Sequence, residues 1–509
     1  MDEFAGYRPA MAPSRRQEIR TLAPAIDWQT VWQPALTFLL PFALYLLTLA
    51  PTIYNLDSAE LTTATATGGI LRATGYPLYL ILGRLWALLP VGDVGFRLNL
   101  FSAFCGALTI LLTDYSLRRL RVNLWARLGA LGLLASAPYF WAMSLIAEVY
   151  TLHTALLAGI VLAGLRWQEE PTPRRLALLV FLVVLSMGHH AATVLLLPGV
   201  AWLVLTTAPR QLLQWRTWRR ALPAALLATS VFLYLPLRYA AAPEFNYAGQ
   251  FDAQGNFVPV NLQTMEGFLW LVTGRSFAGQ MFGYDLPGVA REAVAYSRQL
   301  WQAFFAVGIG PGLLGAALLL RRDRRIGGML LLLFVVNAIF YVNYRVVDKN
   351  TMYLPTYVIW ALWLGLGLQH LWRWVENSRL LWPSRLVIVT TLLLAVSWNW
   401  QRVDLSDDWS TRQQGEEILE AVAPDAIILG WWDSVPVVQY LQIVEGQRPD
   451  VLAINRFLIS DDNMDRLIRR EAARRPVYIN SPPPELIKSM RVERAGRFYR
   501  LYPRELEAE

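Results

Sequence analysis

Apolar runs of roughly 17 or more residues recur along this chain, and short arginine-bearing segments separate them. That alternation leaves few folds open. A helix crossing a bilayer needs about 20 apolar residues, and a backbone in hydrocarbon must satisfy its own hydrogen bonds, which helices do. Of the 509 residues 55% are hydrophobic and 17% charged, whereas soluble proteins carry about 25% charged residues. The fold class expected is an all-α polytopic membrane protein with a small extra-membrane α/β domain at its C-terminal end. The net charge of +8 does not call for a nucleic-acid partner, because the arginines lie in clusters between apolar runs and act as topology signals.

Eleven spans are expected, near 34–50, 97–117, 128–146, 150–166, 176–189, 191–207, 221–237, 301–320, 327–344, 355–372 and 386–400. Residues 1–33 hold Arg8, Arg15, Arg16 and Arg20 and read as a cytoplasmic segment before an uncleaved first span. With that end inside, the inner loops carry Arg118, Arg119, Arg121 and Arg127, then Arg174 and Arg175, then Arg210, Arg216, Arg219 and Arg220. The later ones carry Arg321, Arg322, Arg324 and Arg325, then Arg373, Arg379 and Arg385. Every short inner loop is arginine-rich, as the positive-inside rule requires.

Residues 76–90 are apolar but only 15 long, with Arg84 in the middle. As a span they would invert everything downstream and place Arg118 and Arg119 outside. They read instead as an interfacial helix within one long first outer loop, 51–96. Residues 238–300 form a second outer loop inside the 34–400 membrane domain. Residues 401–509 are less apolar and run β–α–β–α–β over 426–430, 434–445, 451–455, 463–475 and 477–479, which implies an extracytoplasmic α/β domain. The single cysteine, Cys105, lies in an apolar run, so neither a disulfide nor a thiolate metal site is expected.

Asp57 and Glu60 open the first outer loop, and acids at a membrane edge are functional candidates by default. The words around them carry a resemblance. Asp57-Ser-Ala-Glu-Leu61 followed by Gly75-Tyr-Pro-Leu-Tyr79 is similar to a "GDSGEL … HPPGYPLY" signature. Arg97–Ser102, Glu148-Val-Tyr150, Tyr234-Leu-Pro-Leu-Arg238, Asp348–Pro355 and Tyr440–Val451 follow in matching order. Together they resemble GT-C glycosyltransferases, in the branch of the transmembrane protein O-mannosyltransferases and their bacterial members. Two positions depart: Arg72-Ala-Thr74 stands where His-Pro-Pro is usual, and Leu56 where a glycine is usual.

The resemblance implies an inverting transfer of a hexose such as mannose from a polyprenyl-phosphate sugar, the co-substrate, to an extracytoplasmic protein, lipid or glycan acceptor. Asp57 is then the general base. A free aspartate titrates near about 3.9, so it is ionised and able to accept a hydroxyl proton. The plainer role for Asp57-Ser-Ala-Glu60 is a helix capping box, in which Glu60 caps or orients.

Cations near outer turns, Arg238, Arg275, Arg345 and Lys349, are candidates for the leaving phosphate, with snorkelling to headgroups as the bland alternative. His189 and His190 share a tight turn, where one can hydrogen-bond the lipid phosphate. Glu148, Tyr150 and His153, with Tyr76 and Asp348, are candidates for the cavity, Glu148 alternatively being a solvated loop acid. Trp432 and Asp433 could cradle an acceptor. Four scattered histidines give no ligand set, so no metal site is assigned, and divalent-metal dependence stays open. The rival function is a transporter, an assembly subunit or a GT-C-fold protein without activity. A prokaryotic plasma membrane is the expected location.

Overall fold

The computed structural model describes residues 28–55 and 57–504, so most of the expected cytoplasmic segment 1–33 lies outside the described residues. The chain begins with α1 (Trp28–Leu47), whose start precedes the expected span. Two shorter helices follow in the first outer loop, α2 (Ser58–Thr67) and α3 (Pro77–Ala87). Next come α4 (Val94–Arg119), α5 (Leu124–Ala135), α6 (Pro138–Met143), α7 (Tyr150–Glu169) and α8 (Pro173–Met187).

Local chemistry sets these starts. The side chains of Asp93, Asn123 and Thr172 accept the N–H groups of Phe96, Ala126 and Arg175 at 2.7, 2.9 and 3.4 Å, satisfying donors that a helix leaves unpaired. Prolines 77, 138 and 173 occupy first-turn positions, where a missing N–H costs nothing.

Each expected span falls on a helical segment, with two corrections. The span expected at 128–146 is two helices, α5 and α6, because the chain turns extended at Ala137 before Pro138. The span expected at 301–320 begins only at Ile309. A separate helix, Leu286–Ala303, ends in a turn in which Phe305 and Ala306 have φ of 52° and 59°. Among the described residues five helices are long and apolar enough to cross a membrane: Val94–Arg119, Trp215–Ala240, Arg324–Val342, Lys349–Val375 and Leu381–Val403. Shorter apolar helices lie at Trp32–Leu47, Leu124–Ala135 and Ala191–Thr207. A buried carboxylate, Asp114, ties α4 to α5 by pairing with Arg118 at 2.6 Å and with Arg127.

The segment 238–300, expected as the second outer loop, contains a hairpin, β1 (Gly249–Phe251) against β2 (Phe257–Pro259), and the helix Met265–Val272. After the last long helix comes the α/β unit: helix Ser410–Ala421, then β3 (Ile427–Gly430), β4 (Leu452–Asn455), β5 (Val477–Ile479), β6 (Met490–Ala495) and β7 (Phe498–Pro503). The strand order is β4-β3-β5-β7-β6, with the first three parallel, β7 antiparallel to β5 and β6 antiparallel to β7. The expected βαβαβ rhythm is present with helices at Val435–Ile443 and Asp461–Glu471, while the closing hairpin was not foreseen.

Alternation along the strands divides their side chains between two cores. Ile427, Leu429, Ile454, Val477 and Ile479 pack on Met464, Leu467 and Ile468. Ile428, Ala453 and Tyr478 share the other core with Val435, Val438 and Leu441, and also with Ile53 and Ala59 of the first outer loop. One face of the C-terminal sheet is therefore cored jointly with the segment that carries Asp57.

Candidate active site

The site is built around α2, which is held at its far end by cations. Gly68 ends the helix in the left-handed region (φ 63°), where its N–H returns to Ala64 and Thr65. Arg238 donates to the carbonyls of Gly68 and, at 3.3 Å, Thr67; Arg84 donates to Ala66 and, at 3.3 Å, Thr65. Positive groups at a helix C-terminus are favourable with the macrodipole, and they fix the direction in which the N-terminus points. That end carries Asp57 and Glu60.

Asp57 makes no capping hydrogen bond with its side chain, so the capping-box role is not the one it adopts. Its carboxylate is held from two sides instead. Arg72 Nη2 lies 2.5 Å from Oδ2, and Trp432 Nε1 donates to Oδ1 at 3.1 Å. Its backbone N–H donates to Glu148 Oε1 at 3.2 Å. Arg72 also donates through Nη1 to Glu60 Oε2 at 2.9 Å, and its guanidinium carbon sits 4.2 Å over the Trp432 ring. Two carboxyls thus share one arginine.

Burial dominates at Glu60, which is 2% exposed: it pushes the carboxyl up to about 8, against the lowering effect of Arg72 and with a further rise from Asp57. Burial also works against the charge on Arg72, but Asp57 and Glu60 outweigh it and hold the guanidinium charged well above its usual range. Glu148, likewise 2% exposed, is pushed well up, first by burial and then by Asp57 and Asp348. It is not a solvated loop acid. Its Oε2 has no hydrogen-bond partner among the described residues. Asp348 is raised for the same two reasons, desolvation and then Asp57.

A cavity of about 360 Å³ opens beside Asp57 and Arg72. Tyr76, Tyr150, His190 and Asp348 line it together with Val194, Leu195, Met281, Phe340, Val346 and Met352. His190 Nδ1 accepts the Ala192 N–H at 3.0 Å, so this ring is neutral with its proton on Nε2. His189 and His153 lie behind it: His189 Nε2 is 2.8 Å from the Val149 carbonyl, and both nitrogens of His153 are buried without partners. Among the described residues no group of three or more His, Cys, Asp or Glu is arranged to hold a metal ion.

The expected phosphate cations lie elsewhere. Arg238 serves the C-terminus of α2. Lys349, 5% exposed, pairs with Glu292 at 2.7 Å and sits over Tyr284. Arg275 and Arg345 are exposed on two rim loops joined by the Arg345 N–H bond to Gln280 at 2.9 Å, next to lining residues but not themselves lining. Asp433 is exposed and accepts from Ser434 Oγ at 3.1 Å, away from the cavity. Among the described residues the one Lys or Arg that lines the cavity is Arg72, a residue absent from the expected set. Its signal was its position, as a cation in the same outer loop as both acids.

Residues 57–213 match the family model described as "Protein O-mannosyl-transferase TMEM260 N-terminal domain". The mouse protein O-mannosyl-transferase TMEM260 is 23% identical over 449 residues, and the Dictyostelium discoideum one 20% over 471. Each alignment covers 82% of this chain, but the chain spans only 62% and 56% of those relatives. Among solved structures, ArnT from Cupriavidus metallidurans bound to undecaprenyl phosphate superposes with a TM-score of 0.58 at 12% identity, covering 93% of this chain and 98% of that one. Its apo state gives 0.56 at 13% identity. The chain thus has the GT-C-type fold of ArnT and resembles the TMEM260 branch of membrane O-mannosyltransferases.

Proposed function

We propose that this protein transfers a hexose, such as mannose, from a polyprenyl-phosphate donor to an extracytoplasmic acceptor with inversion. The carrying observation is that Asp57 and Arg72 share one cavity whose remaining wall joins polar groups to an apolar surface. In the reaction, an acceptor hydroxyl oxygen attacks C1 of the sugar from the face opposite the phosphate. Asp57 takes the hydroxyl proton as the new C–O bond forms. The C1–O bond to phosphate breaks, and polyprenyl phosphate leaves with the electron pair.

Arg72 is the cation best placed to stabilise that leaving charge, through the guanidinium fork that suits phosphate. His190 adds a neutral Nε2–H donor. Val194, Leu195, Phe340 and Met352 suit the first prenyl units. The ArnT neighbour was solved with undecaprenyl phosphate, which supports a lipid-linked donor. The curated relatives are named as protein O-mannosyl-transferases, which favours a polypeptide acceptor. An outward-facing C-terminal domain and a prokaryotic plasma membrane belong to the same proposal.

The test uses purified protein in lipid, radiolabelled polyprenyl-phosphate mannose or glucose, and a membrane extract as acceptor. Wild type should transfer label, and Asp57→Asn should lose on the order of 10² to 10⁴ in rate. Full activity in Asp57→Asn would sink the assignment of the base. Absence of transfer from every polyprenyl donor, with donor binding intact, favours a fold-retaining protein without catalysis.

A further inference from the structure

Arg72 places its guanidinium on the carboxylate assigned the chemistry. Nη2 is 2.5 Å from Asp57 Oδ2, Nη1 is 2.9 Å from Glu60 Oε2, and the guanidinium carbon is 4.2 Å from the centre of the Trp432 ring. Both carboxylate oxygens of Asp57 are then occupied, Oδ2 by the guanidinium and Oδ1 by the Trp432 N–H at 3.1 Å, so neither faces an incoming hydroxyl. Yet among the described residues Arg72 is also the only Lys or Arg on the cavity wall. Base and leaving group therefore compete for one cation.

We propose that Arg72 is a guard on Asp57, released when a lipid phosphate binds in the cavity. In the resting site the guanidinium covers Asp57. A phosphate anion draws it onto phosphate oxygens, where the planar fork bonds two at once, and Asp57 is left open to the acceptor hydroxyl. Arg72 thereby determines specificity as well as binding charge: a neutral prenyl compound or a water molecule entering alone meets a covered base. The inference rests on the glycosyl-transfer reading above.

Two features make the exchange feasible. The Trp432 face supports the guanidinium on its apolar side while its nitrogens turn from one acceptor to another. Glu60 is the second. It is faced by Arg72, Asp57, Tyr76 and Tyr247, and burial raises its carboxyl to about 8, so at neutral pH it carries a proton. Asp57 is then the ionised group in direct contact with the guanidinium, and one phosphate can replace it. Above pH about 8 an ionised Glu60 strengthens the hold on Arg72, and release becomes harder.

The experiment labels carboxyls in the full-length protein in nanodiscs, using excess carbodiimide with an amine at pH 6.5 and quantifying the Asp57 peptide by mass spectrometry. Samples contain no ligand, farnesyl phosphate, farnesol or inorganic phosphate, with binding followed in parallel by calorimetry. Farnesyl phosphate should raise Asp57 labelling at least about threefold, opposite to the shielding a passive ligand gives, while farnesol should not. An equal rise with inorganic phosphate would identify the free anion as sufficient. Arg72→Gln should label strongly without ligand, and Arg72→Lys, which keeps the charge, should lie between.

Binding of farnesyl phosphate with unchanged or reduced Asp57 labelling overturns the guard and leaves the transfer assay to judge the enzyme. Low labelling in a folded Arg72→Gln overturns it too. If farnesyl phosphate does not bind at all, the guard and the lipid-phosphate donor fall together.

Discussion

Glu148 separates two kinds of acid in this site, and a pair of substitutions measures the difference. Its Oε1 accepts the Asp57 backbone N–H at 3.2 Å, its own N–H is 3.2 Å from Ser102 Oγ, and it is buried beneath the loop that carries the proposed base. Burial and Asp57 push its carboxyl well up, which favours the neutral form, and glutamine supplies a neutral side chain of the same shape and acceptor geometry. Glu148→Gln should keep the bond to Asp57, hold the apparent unfolding midpoint near wild type and leave transfer within about threefold. Glu148→Ala strands the Asp57 N–H. A buried donor without a partner costs about 1–3 kcal/mol, and the two lost side-chain groups leave a cavity, so about 2–4 kcal/mol in all is expected. The freed Asp57 loop should also lower the rate by about 10- to 100-fold, since a displacement of about 1 Å near a reacting atom is enough for that. Thermal unfolding in detergent and the labelled-transfer assay read the two effects separately. If Glu148→Gln fails as badly as Glu148→Ala while remaining folded, the negative charge itself is needed, and the reasoning from burial is refuted.

Three further outcomes are expected. A buried acid whose folded pKa is raised stabilises the fold at low pH, and that contribution is lost as pH climbs from about 4.5 to about 8; Glu60→Gln should therefore flatten the pH dependence of the unfolding midpoint and make the protein more stable than wild type at pH 9. Trp432→Phe keeps a ring under Arg72 but removes the N–H on Asp57, so transfer should fall about tenfold, near the lower end for a hydrogen bond to a charged group, with Trp432→Ala falling further; equal rates in all three would detach the C-terminal domain from the chemistry. Arg238→Ala should cost about 1–2 kcal/mol of stability through the C-terminus of α2 and leave the donor KM unchanged; a tenfold rise in KM would return Arg238 to the phosphate.

Long apolar runs made most of the helical framework readable, since a stretch such as 355–372 has no other stable use. The breaks were harder. Ala137 precedes a proline that biases it away from helix, a signal that the apolar run over 128–146 masks. The turn at Phe304–Gly308 is written in apolar residues and has no polar mark. The β6–β7 hairpin is masked by charged residues in both strands, Arg491, Glu493 and Arg494 in β6 and Arg500 in β7, although Gly496, with φ 60°, marks its turn. In the site, Asp57, Tyr76, Tyr150, His190, Asp348 and Trp432 were reached from the sequence, and the structure brings them to the cavity or onto Asp57 itself. Arg72 was not, because phosphate ligands were sought on short outer turns near span ends, while the useful cation lay 15 residues from Asp57 in the same loop. Arg238 and Lys349 misled because a sequence does not show that a cation already has a structural partner.

The bond between Trp432 and Asp57 joins residues 375 positions apart. During synthesis Asp57 and its helix are made early, and nothing in the membrane framework supplies the indole or the jointly packed face that includes Ile53 and Ala59. A nascent chain stopped after its last long helix holds the acids and Arg72 but lacks one wall of the site. On the proposed function, competence is thus tied to synthesis of the α/β unit: a chain that stops short of Trp432 lacks the N–H on Asp57 and has no finished place for a reaction.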